Sequence, residues 1–434
     1  MSRGFKEYLF EDIVSKEKGF LRGPFGGNLK KEIFVPKDKN TYKVYEQGVV
    51  LRKNIEIGKY NITEEYFNEK MYRFEVCPKD FLVSCSGANY GAIFQMPENI
   101  EKGVINQALL RIRLNNDLIN DSYFDYFFSH HLVNQIIGKK GDSTIPNFPP
   151  VSVLKKLKVK IHSDVIYQKQ IAKVLSDLDA KIEVNNKINQ ELEAMAKTLY
   201  DYWFVQFDFP DVHGKPYKSS GGKMVFNEAL KREIPEGWEV KRLSDFADCN
   251  KWNRTKESLY DKINYLDTSS LTENVIESFQ ELDFERDKIP SRAQRIVSKN
   301  DILYSTVRPN QLHYGIVKRP IENLIASTGF AQIRSNDSRI TNDFIYQILS
   351  QDYVSTRLQQ IAVGSVSAYP SISHNDIMEL RITLPLDDEL INKATAIFQQ
   401  YNDKVALNLE ENQKLSELRD WLLPMLMNGQ VKVA

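Results

Sequence analysis

The stretch "KVLSDLDAKIEVNNKINQELEAMAKTLYDYWFVQFDF", Lys173 to Phe209, lies near the middle of a 434-residue chain and begins as a long amphipathic helix. Ile171, Val174, Leu178, Ile182, Asn185, Ile188, Leu192, Met195 and Leu199 advance by threes and fours, the ~3.5-residue period of a coiled-coil seam. One face of this rod therefore needs a partner helix. Asn185, Asn186 and Asn189 are weak helix formers, each costing ~0.5–0.7 kcal/mol relative to Ala, whereas a buried seam side chain contributes ~1.5–3 kcal/mol. Packing, rather than propensity, must hold the rod.

The partner is found in the same chain. "GDSTIPNFPPVSVLKKLKVKIHSD" from Gly141 aligns without a gap on "GSVSAYPSISHNDIMELRITLPLD" from Gly364, an offset of 223 residues that places Leu154, Leu157, Val159 and Ile161 on Ile377, Leu380, Ile382 and Leu384. The same offset pairs Asn185 with Asn408, Asn189 with Asn412 and Leu192 with Leu415. Upstream, "KDFLVSCS" at Lys79 resembles "NDILYSTV" at Asn300, and "NDSYFDYFFS" at Asn120 resembles "TNDFIYQILS" at Thr341. A globular part followed by a helix is thus present twice. Such a unit closes most simply by pseudo-two-fold symmetry, which predicts two antiparallel rods with the polar seam residues Asn185 and Asn408 fixing their alignment. About 40 residues of helix make a spacer ~60 Å long.

Composition bounds the function. The chain carries 42% hydrophobic and 11% aromatic residues, as a folded globular protein does, and no apolar run approaches the ~18–20 residues that span a bilayer. "MSRGFKEYLFEDIV" has no secretory pattern, so a cytoplasmic chain without membrane contact is expected. The 58 basic and 58 acidic side chains cancel, leaving segregated patches as the only route to an electrostatic partner. Cys77, Cys85 and Cys249 are scattered, and no metal site is expected.

Catalytic constellations are poorly supported. "GPFGG" at Gly23 lacks the preceding strand and following G-K-[ST] of a phosphate loop and reads as a turn that brings backbone close to a partner. Asp211, Glu239 and Lys241 imitate a Mg²⁺ nuclease, but a Gly/Ser-rich connector separates them. The polar loops are more informative. "GNLKK" offers Asn28 and Lys30, "LRKN" offers Arg52 and Lys53, and "SGANY" offers Asn89 and Tyr90. In the second half "NKWNRTK" offers Lys251 and Arg254, and "STVRPNQLHYG" offers Arg308, Asn310, Gln311 and His313. Arg reads guanine, Asn and Gln read adenine, and Lys positions phosphate. A nuclease and a coiled-coil adaptor remain as alternatives on residues alone.

"LYDYWFVQFDFPDVHGKPYKSSGGKM" from Leu199 and "REIPEGWEVKRLSDF" from Arg232 resemble the specificity subunit of bacterial type I restriction-modification systems, over essentially the whole chain. The resemblance implies an α+β fold: two similar mixed α/β target recognition domains, residues 1–161 and 235–385, separated by two long antiparallel coiled-coil helices. Those helices are residues 162–207 and 386–434, with a connector at 208–234. It also implies a non-catalytic subunit that reads a bipartite double-stranded DNA target. Two adenine methyltransferase subunits and ATP-driven restriction subunits would be its partners, and those partners would hold S-adenosylmethionine, ATP and Mg²⁺. Asn185, Asn408, Leu192 and Leu415 would serve helix register and partner docking. The amino-terminal "GFKEYLFEDIV" departs from the pattern by lacking the G-W-E of Gly237 to Glu239.

Overall fold

The computed structural model describes residues 4–137, 148–255, 260–319, 321–364 and 370–433; residues 141–147 and 365–369, the leading parts of the aligned repeat stretches, lie outside them. The chain divides into two compact units, Met1–Lys181 with Lys414–Ala434, and Ile182–Gln413, so both division points fall inside the long helices.

In the first unit, the short apolar runs Phe81–Ser84, Gly103–Ile105 and Leu109–Ile112 are buried along their whole length and form central strands, as such runs do when both faces are covered. The strands are β1 (Phe5–Leu9), β2 (Phe20–Arg22), β3 (Thr41–Tyr45), β4 (Asn61–Thr63), β5 (Glu75–Val76), β6 (Phe81–Ser84), β7 (Ile93–Gln95), β8 (Gly103–Ile105), β9 (Leu109–Ile112) and β10 (Lys158–His162). They build two four-stranded sheets, β4-β3-β8-β5 and β2-β9-β6-β7, plus the antiparallel pair β1-β10. Its helices include α1 (Gln47–Leu51), α2 (Asp121–Tyr126) and the long α3 (Val165–Tyr200), which leaves this unit at Lys181. Phe10, Phe81, Phe124 and Phe128 of the sheet and α2 region share one core with Ile171 and Leu175 of α3 and Leu423 and Leu426 near the carboxyl terminus.

The second unit opens with the hairpin β11 (Met224–Asn227) and β12 (Arg232–Pro235) and the strand β13 (Trp238–Arg242). There follow β14 (Ala247–Cys249), β15 (Lys262–Leu266), β16 (Leu271–Thr272), β17 (Val275–Ile276), β18 (Gln280–Asp283), β19 (Ala293–Ile296), β20 (Ile302–Ser305), β21 (Tyr314–Ile316), β22 (Leu324–Ser327) and β23 (Phe330–Ser335). Helix α4 (Asn342–Leu349), strand β24 (Arg381–Pro385) and the long α5 (Asp388–Met427) end the chain. The sheets β18-β15-β22-β19 and β14-β23-β20-β21 repeat the strand order of the first unit, including one parallel pair in each copy, β3 with β8 and β15 with β22. The repeat expected from sequence is therefore a repeat of topology.

That topology restores the amino-terminal start. Phe5 pairs with His162 as Trp238 pairs with Pro385, and the preceding Gly4 and Gly237 both hold positive φ. "GFK" is thus the structural counterpart of "GWE". In the second unit Trp238 is boxed by Phe204, Phe207 and Phe209 at ring separations of 5.7, 5.3 and 5.2 Å, which explains why the aromatic exit of α3 and the G-W-E start belong together. The connector is folded onto the same cluster: Tyr217 stacks on Phe209 at 4.7 Å, and Asp208 accepts bonds from both the backbone and the hydroxyl of Ser219.

A buried ion pair closes one end of the second sheet in each unit. Asp80 takes a bidentate pair from Arg113 at 2.7 and 2.8 Å and a bond from the Cys77 amide, with buried Arg111 at 3.9 Å. Asp301 takes the corresponding set: the Arg334 guanidinium, the Gln332 amide at 2.7 Å and the Ser298 backbone at 2.7 Å. The hydrogen bonds Asp80 makes with Arg113 hold that guanidinium's pKa above its ordinary value.

The long helices run antiparallel, with Asn185 against Asn412 and Asn189 against Asn408 in the second unit, and Asp179 against Arg419 in the first. Asn185 donates to Asn412 at 2.9 Å and to Glu411 at 2.8 Å; Asn408 donates to Asn189 at 2.7 Å; Asn412 donates to Asn186 at 2.8 Å. Asn185 and Asn408 do not pair with each other. Each meets the asparagine one turn beyond its own repeat mate, so the two pairs map onto each other under the 223-residue offset. The seam also differs from the sequence expectation: Ile188 and Met195 are exposed, while Asn189 and Ala196 are buried in their place. Leu192 and Leu415 are both partly buried. A polar bolt fastens each globular part to a helix: the Tyr126 hydroxyl donates to Asp179 at 2.5 Å, and at the matching place Gln347 donates to Asn402 at 3.4 Å.

Candidate nucleic-acid interface

The strand directions decide where the loops gather. In the first unit, Arg22 at the exit of β2 pairs with Leu110 near the start of β9, Ser84 at the exit of β6 pairs with Leu109, and Val83 pairs with Ile93 at the start of β7. The loops 23–28, 85–92 and 106–108 therefore leave the same end of one sheet, opposite the Asp80 clasp. Backbone bonds from Gly23 to Leu109 at 2.9 Å and from Cys85 to Ala108 at 2.8 Å hold them side by side. The Gln47 amide donates to the Ser84 hydroxyl at 2.7 Å and to the Ser86 carbonyl at 2.5 Å, fixing α1 against the loop between β6 and β7.

In the second unit Ser305 pairs with Phe330 and Tyr304 with Tyr314, and the Thr306 amide donates to the Gly329 carbonyl at 2.9 Å, so the loop after β20 and the turn before β23 emerge together, opposite Asp301. The loop after β14 diverges: Cys249 pairs with Ile333, level with Ile302, and Trp252 lies against Arg334 of the Asp301 clasp. The loop between β20 and β21 holds two non-glycine residues in the left-handed region, Arg308 at φ 48° and Leu312 at φ 56°, around a short turn Pro309–Gln311. Such conformations cost on the order of 1–3 kcal/mol each and persist only where surrounding bonds impose them. Here those bonds come from Arg308 N to Pro370 O at 3.0 Å, Ile372 N to Thr306 O at 2.9 Å and the Val307–Ser371 bridge.

The residues singled out by sequence separate into groups. Asn28, Lys30 and Asn89 in the first unit and Arg308, Asn310 and Gln311 in the second are exposed on these loops. Tyr90 sits on the same loop as Asn89 but packs against the core. His313 is partly buried and its Nδ1 lies 2.8 Å from the Leu271 carbonyl and 3.1 Å from the Thr272 hydroxyl, so it braces the loop from below. Arg254 bonds the Ala293 carbonyl at 3.3 Å and lies over the Phe284 ring, a role inside its own unit. Lys251 forms an exposed ion pair with Asp248 at 2.7 Å, worth ~0–1 kcal/mol and readily exchanged for a phosphate. Arg52 and Lys53 follow the far end of α1, where Lys53 opposes the burial that raises the Asp125 pKa. Sequence reasoning missed Gln47 and the Arg334 guanidinium stacked 3.7 Å from the Trp252 ring; neither has a local pattern, since each works through a strand distant in sequence.

The nuclease-like residues are engaged locally. Asp211 accepts from the backbones of His213 and Lys215, and the Lys215 bond is the main cause of its lowered pKa; Glu239 pairs with Lys241 at 2.9 Å on β13. Among the described residues no group of three or more His, Cys, Asp or Glu side chains is placed to hold a metal ion, and no helix is long and apolar enough to cross a membrane.

A small polar cavity beneath the second loop is lined by Glu193 and Lys197 of α3, Glu273, Tyr314 and Tyr346. Burial first, and then Glu273, push the Glu193 carboxyl up to about 7, against the pull of Lys197, itself paired with Asp352. The folded state therefore binds this proton more tightly than the unfolded chain, and stability falls as pH rises from about 4.5 through about 7. Glu193→Gln should remove that slope and stabilise the second unit at pH 8 by ~1–3 kcal/mol, as read from urea denaturation at pH 5 and pH 8. An unchanged slope would place the titration elsewhere.

The sequence model of the family described as type I restriction modification DNA specificity domain matches residues 26–194 and 235–419. The chain is 27% identical over 389 residues to the type I restriction enzyme MjaIX specificity subunit of Methanocaldococcus jannaschii, covering 87% of this chain and 83% of that one. It is 25% identical over 414 residues to the putative MjaX specificity subunit of the same organism, covering 92% and 89%. Among solved structures, the S subunit of a type I restriction-modification system from M. genitalium has the same fold, with a TM-score of 0.54 at 17% identity, covering 98% of this chain and 96% of that one.

Proposed function

Because the chain belongs to the type I restriction-modification DNA specificity family, we propose that the loop-bearing sheet end of each unit reads one part of a bipartite double-stranded DNA target. The observation that carries this reading is the duplication of one arrangement: a sheet end with exposed Asn89 in one copy and exposed Arg308, Asn310 and Gln311 in the other, braced from the opposite end by the same buried Asp–Arg clasp. Arg308 suits guanine, and Asn89, Asn310 and Gln311 suit adenine edges in the major groove. Asn28, Lys30, Arg52, Lys53 and Lys251 suit phosphate or sugar contacts, while Tyr90, Arg254 and His313 shape the loops that carry them.

On this reading residues 1–161 and 235–385 are the target recognition domains, 162–207 and 386–434 the spacer helices and 208–234 the connector. The paired helices set the spacing between half-sites. Their outward side chains Val184, Ile188, Met195 and Leu407 are exposed and apolar, with Val184 and Leu407 equivalent in the repeat, and Leu418 is the equivalent of Met195. Solvated helix faces seldom carry such a stripe, and it suits the docking of two adenine methyltransferase subunits. Those subunits and the restriction subunits would supply S-adenosylmethionine, ATP and Mg²⁺ chemistry, with the assembly working in the cytoplasm.

The test is methylation mapping by long-read sequencing in cells carrying this chain with its methyltransferase partner, against cells lacking only this chain. A split adenine-methylated motif that disappears without the chain is the expected result. Identical methylomes would reject the recognition role.

A further inference from the structure

The loop after β2 contains a feature that the reading of base edges does not use. Phe25 is 94% exposed and belongs to no core cluster. A floppy tip would explain such exposure cheaply, but this tip has a fixed base. Pro24 and Leu29 on either side are buried, and Gly23 donates to Leu109. A Cβ at Gly23 would fall 1.8 Å from the Asn106 carbonyl oxygen, so backbone packs on backbone there. The far side is tied by Asn28 N to Phe25 O at 3.0 Å and by the Tyr66 hydroxyl to Asn28 O at 2.7 Å. An aromatic ring is thus held out into solvent on a braced turn.

Gly27 gives a second, separate observation. Its backbone is outside the left-handed region, and a Cβ built on it would meet nothing within 4 Å. Neither conformation nor packing inside the protein calls for glycine at this position. The remaining physical use of a missing side chain is close approach by something outside the chain. Arg22, Lys30 and Lys31 flank the tip, with Glu32 the acid among them, and Lys70 lies over the Tyr66 ring that ties the loop. The surroundings suit a polyanion. In the second unit the exit of β14 instead carries Trp252, and its ring is covered by Arg334, so the two half-sites are served differently.

We propose that Phe25 is a wedge that inserts at a base step of the DNA half-site read by the first unit, with Gly27 leaving room for the sugar-phosphate backbone to pass. This rests on the reading of the sheet ends as the DNA interface. Apolar wedges of this kind partly unstack a step and bend the duplex, and they favour flexible steps such as TA or CA. Phe25 therefore adds specificity at a position where no hydrogen bond is made.

The experiment uses the full chain assembled with its methyltransferase subunits and duplexes of the mapped target, with 2-aminopurine placed in turn along both half-sites. Binding should raise the fluorescence at one step of one half-site. Phe25→Ala should abolish that rise and weaken binding about 10- to 100-fold, the range that loss of a stacked aromatic produces, while Phe25→Trp keeps both. Gly27→Ala should weaken binding several-fold with an unchanged melting temperature; binding equal to wild type would overturn the close approach. If Phe25→Ala binds and fluoresces like wild type while Arg308→Ala binds at least tenfold more weakly, the wedge is wrong and the interface reading stands. If Phe25→Ala, Asn89→Ala and Arg308→Ala all bind like wild type, the interface reading fails and the wedge falls with it.

Discussion

Asp80→Ala should lower the stability of the first unit by about 3–5 kcal/mol, and Asp301→Ala that of the second by about 1–3 kcal/mol, each detected as an earlier unfolding transition of the full chain in urea. The size follows from what is left behind. Removing Asp80 strands the guanidinium of Arg113, whose bidentate partner it is, and leaves Arg111, which is 1% exposed and whose Nε makes no hydrogen bond, without the carboxylate 3.9 Å away. Removing Asp301 strands Arg334 and the buried Gln332 amide together. Arg113 and Arg334 keep 29% and 20% exposure and can turn toward water, so the cost falls on what stays fully buried: the Arg111 cation in the first unit and the Gln332 amide in the second. Because the clasp lies at the sheet end opposite the loops, a milder variant such as Asp80→Asn should weaken stability more than it alters target choice. A variant that changed the methylated sequence while leaving the unfolding curve untouched would contradict this division of labour.

Asn408→Leu should destabilise the paired helices by ~1–3 kcal/mol, whereas the double variant Asn189→Leu with Asn408→Leu should recover most or all of that loss. In the single variant Asn189 keeps a buried amide with no donor to accept from, and its Nδ2 already has no partner. The repeat explains that orphan. Its counterpart, Asn412 Nδ2, donates to Asn186, but the residue equivalent to Asn186 is Leu409, which offers no acceptor. Replacing both asparagines removes the polar cost and lets leucines pack, at the expense of a defined register. Denaturation of the two variants gives the energies. The interspin distance between labels on Lys187 and Gln413 gives the register, which should broaden in the double variant alone. A double variant as unstable as the single one would mean that the asparagines stabilise the pair outright.

Glu411 illustrates how far a linear pattern carries. It stands where the first helix has Ile188, which makes the second seam look weaker. In the folded chain Ile188 is exposed and Glu411 accepts from Asn185, so neither is an apolar seam residue. A spacing of threes and fours admits Ile188 or Asn189 equally, and hydrophobicity favours the isoleucine. The asparagines occupy the interior because they satisfy one another across the helix pair, and one sequence read along its own axis contains no information about the facing side chain.

The site residues show the same limit. Loop composition picked out Arg254, His313 and Tyr90 alongside Arg308, Asn310 and Asn89, because Arg, His and Tyr have the same donors and rings whether they face solvent or their own domain. Only the chain path around them distinguishes a brace from a contact: Ala293 and Phe284 claim Arg254, and Leu271 claims His313.

What the sequence determined by itself is the duplication: a 223-residue offset over the helices, matched asparagines, and the antiparallel pairing that symmetry then requires. These are linear properties, carried by the order and period of side chains, so they survive without coordinates. The tertiary structure alone decided that Asn185 meets Asn412 rather than Asn408, that Asp80 and Asp301 each gather an arginine from a neighbouring strand, and that loops from separate parts of each half leave one sheet end together. Those outcomes depend on which strand lies beside which, and burial makes unpaired polar groups too costly for any other arrangement of the same residues.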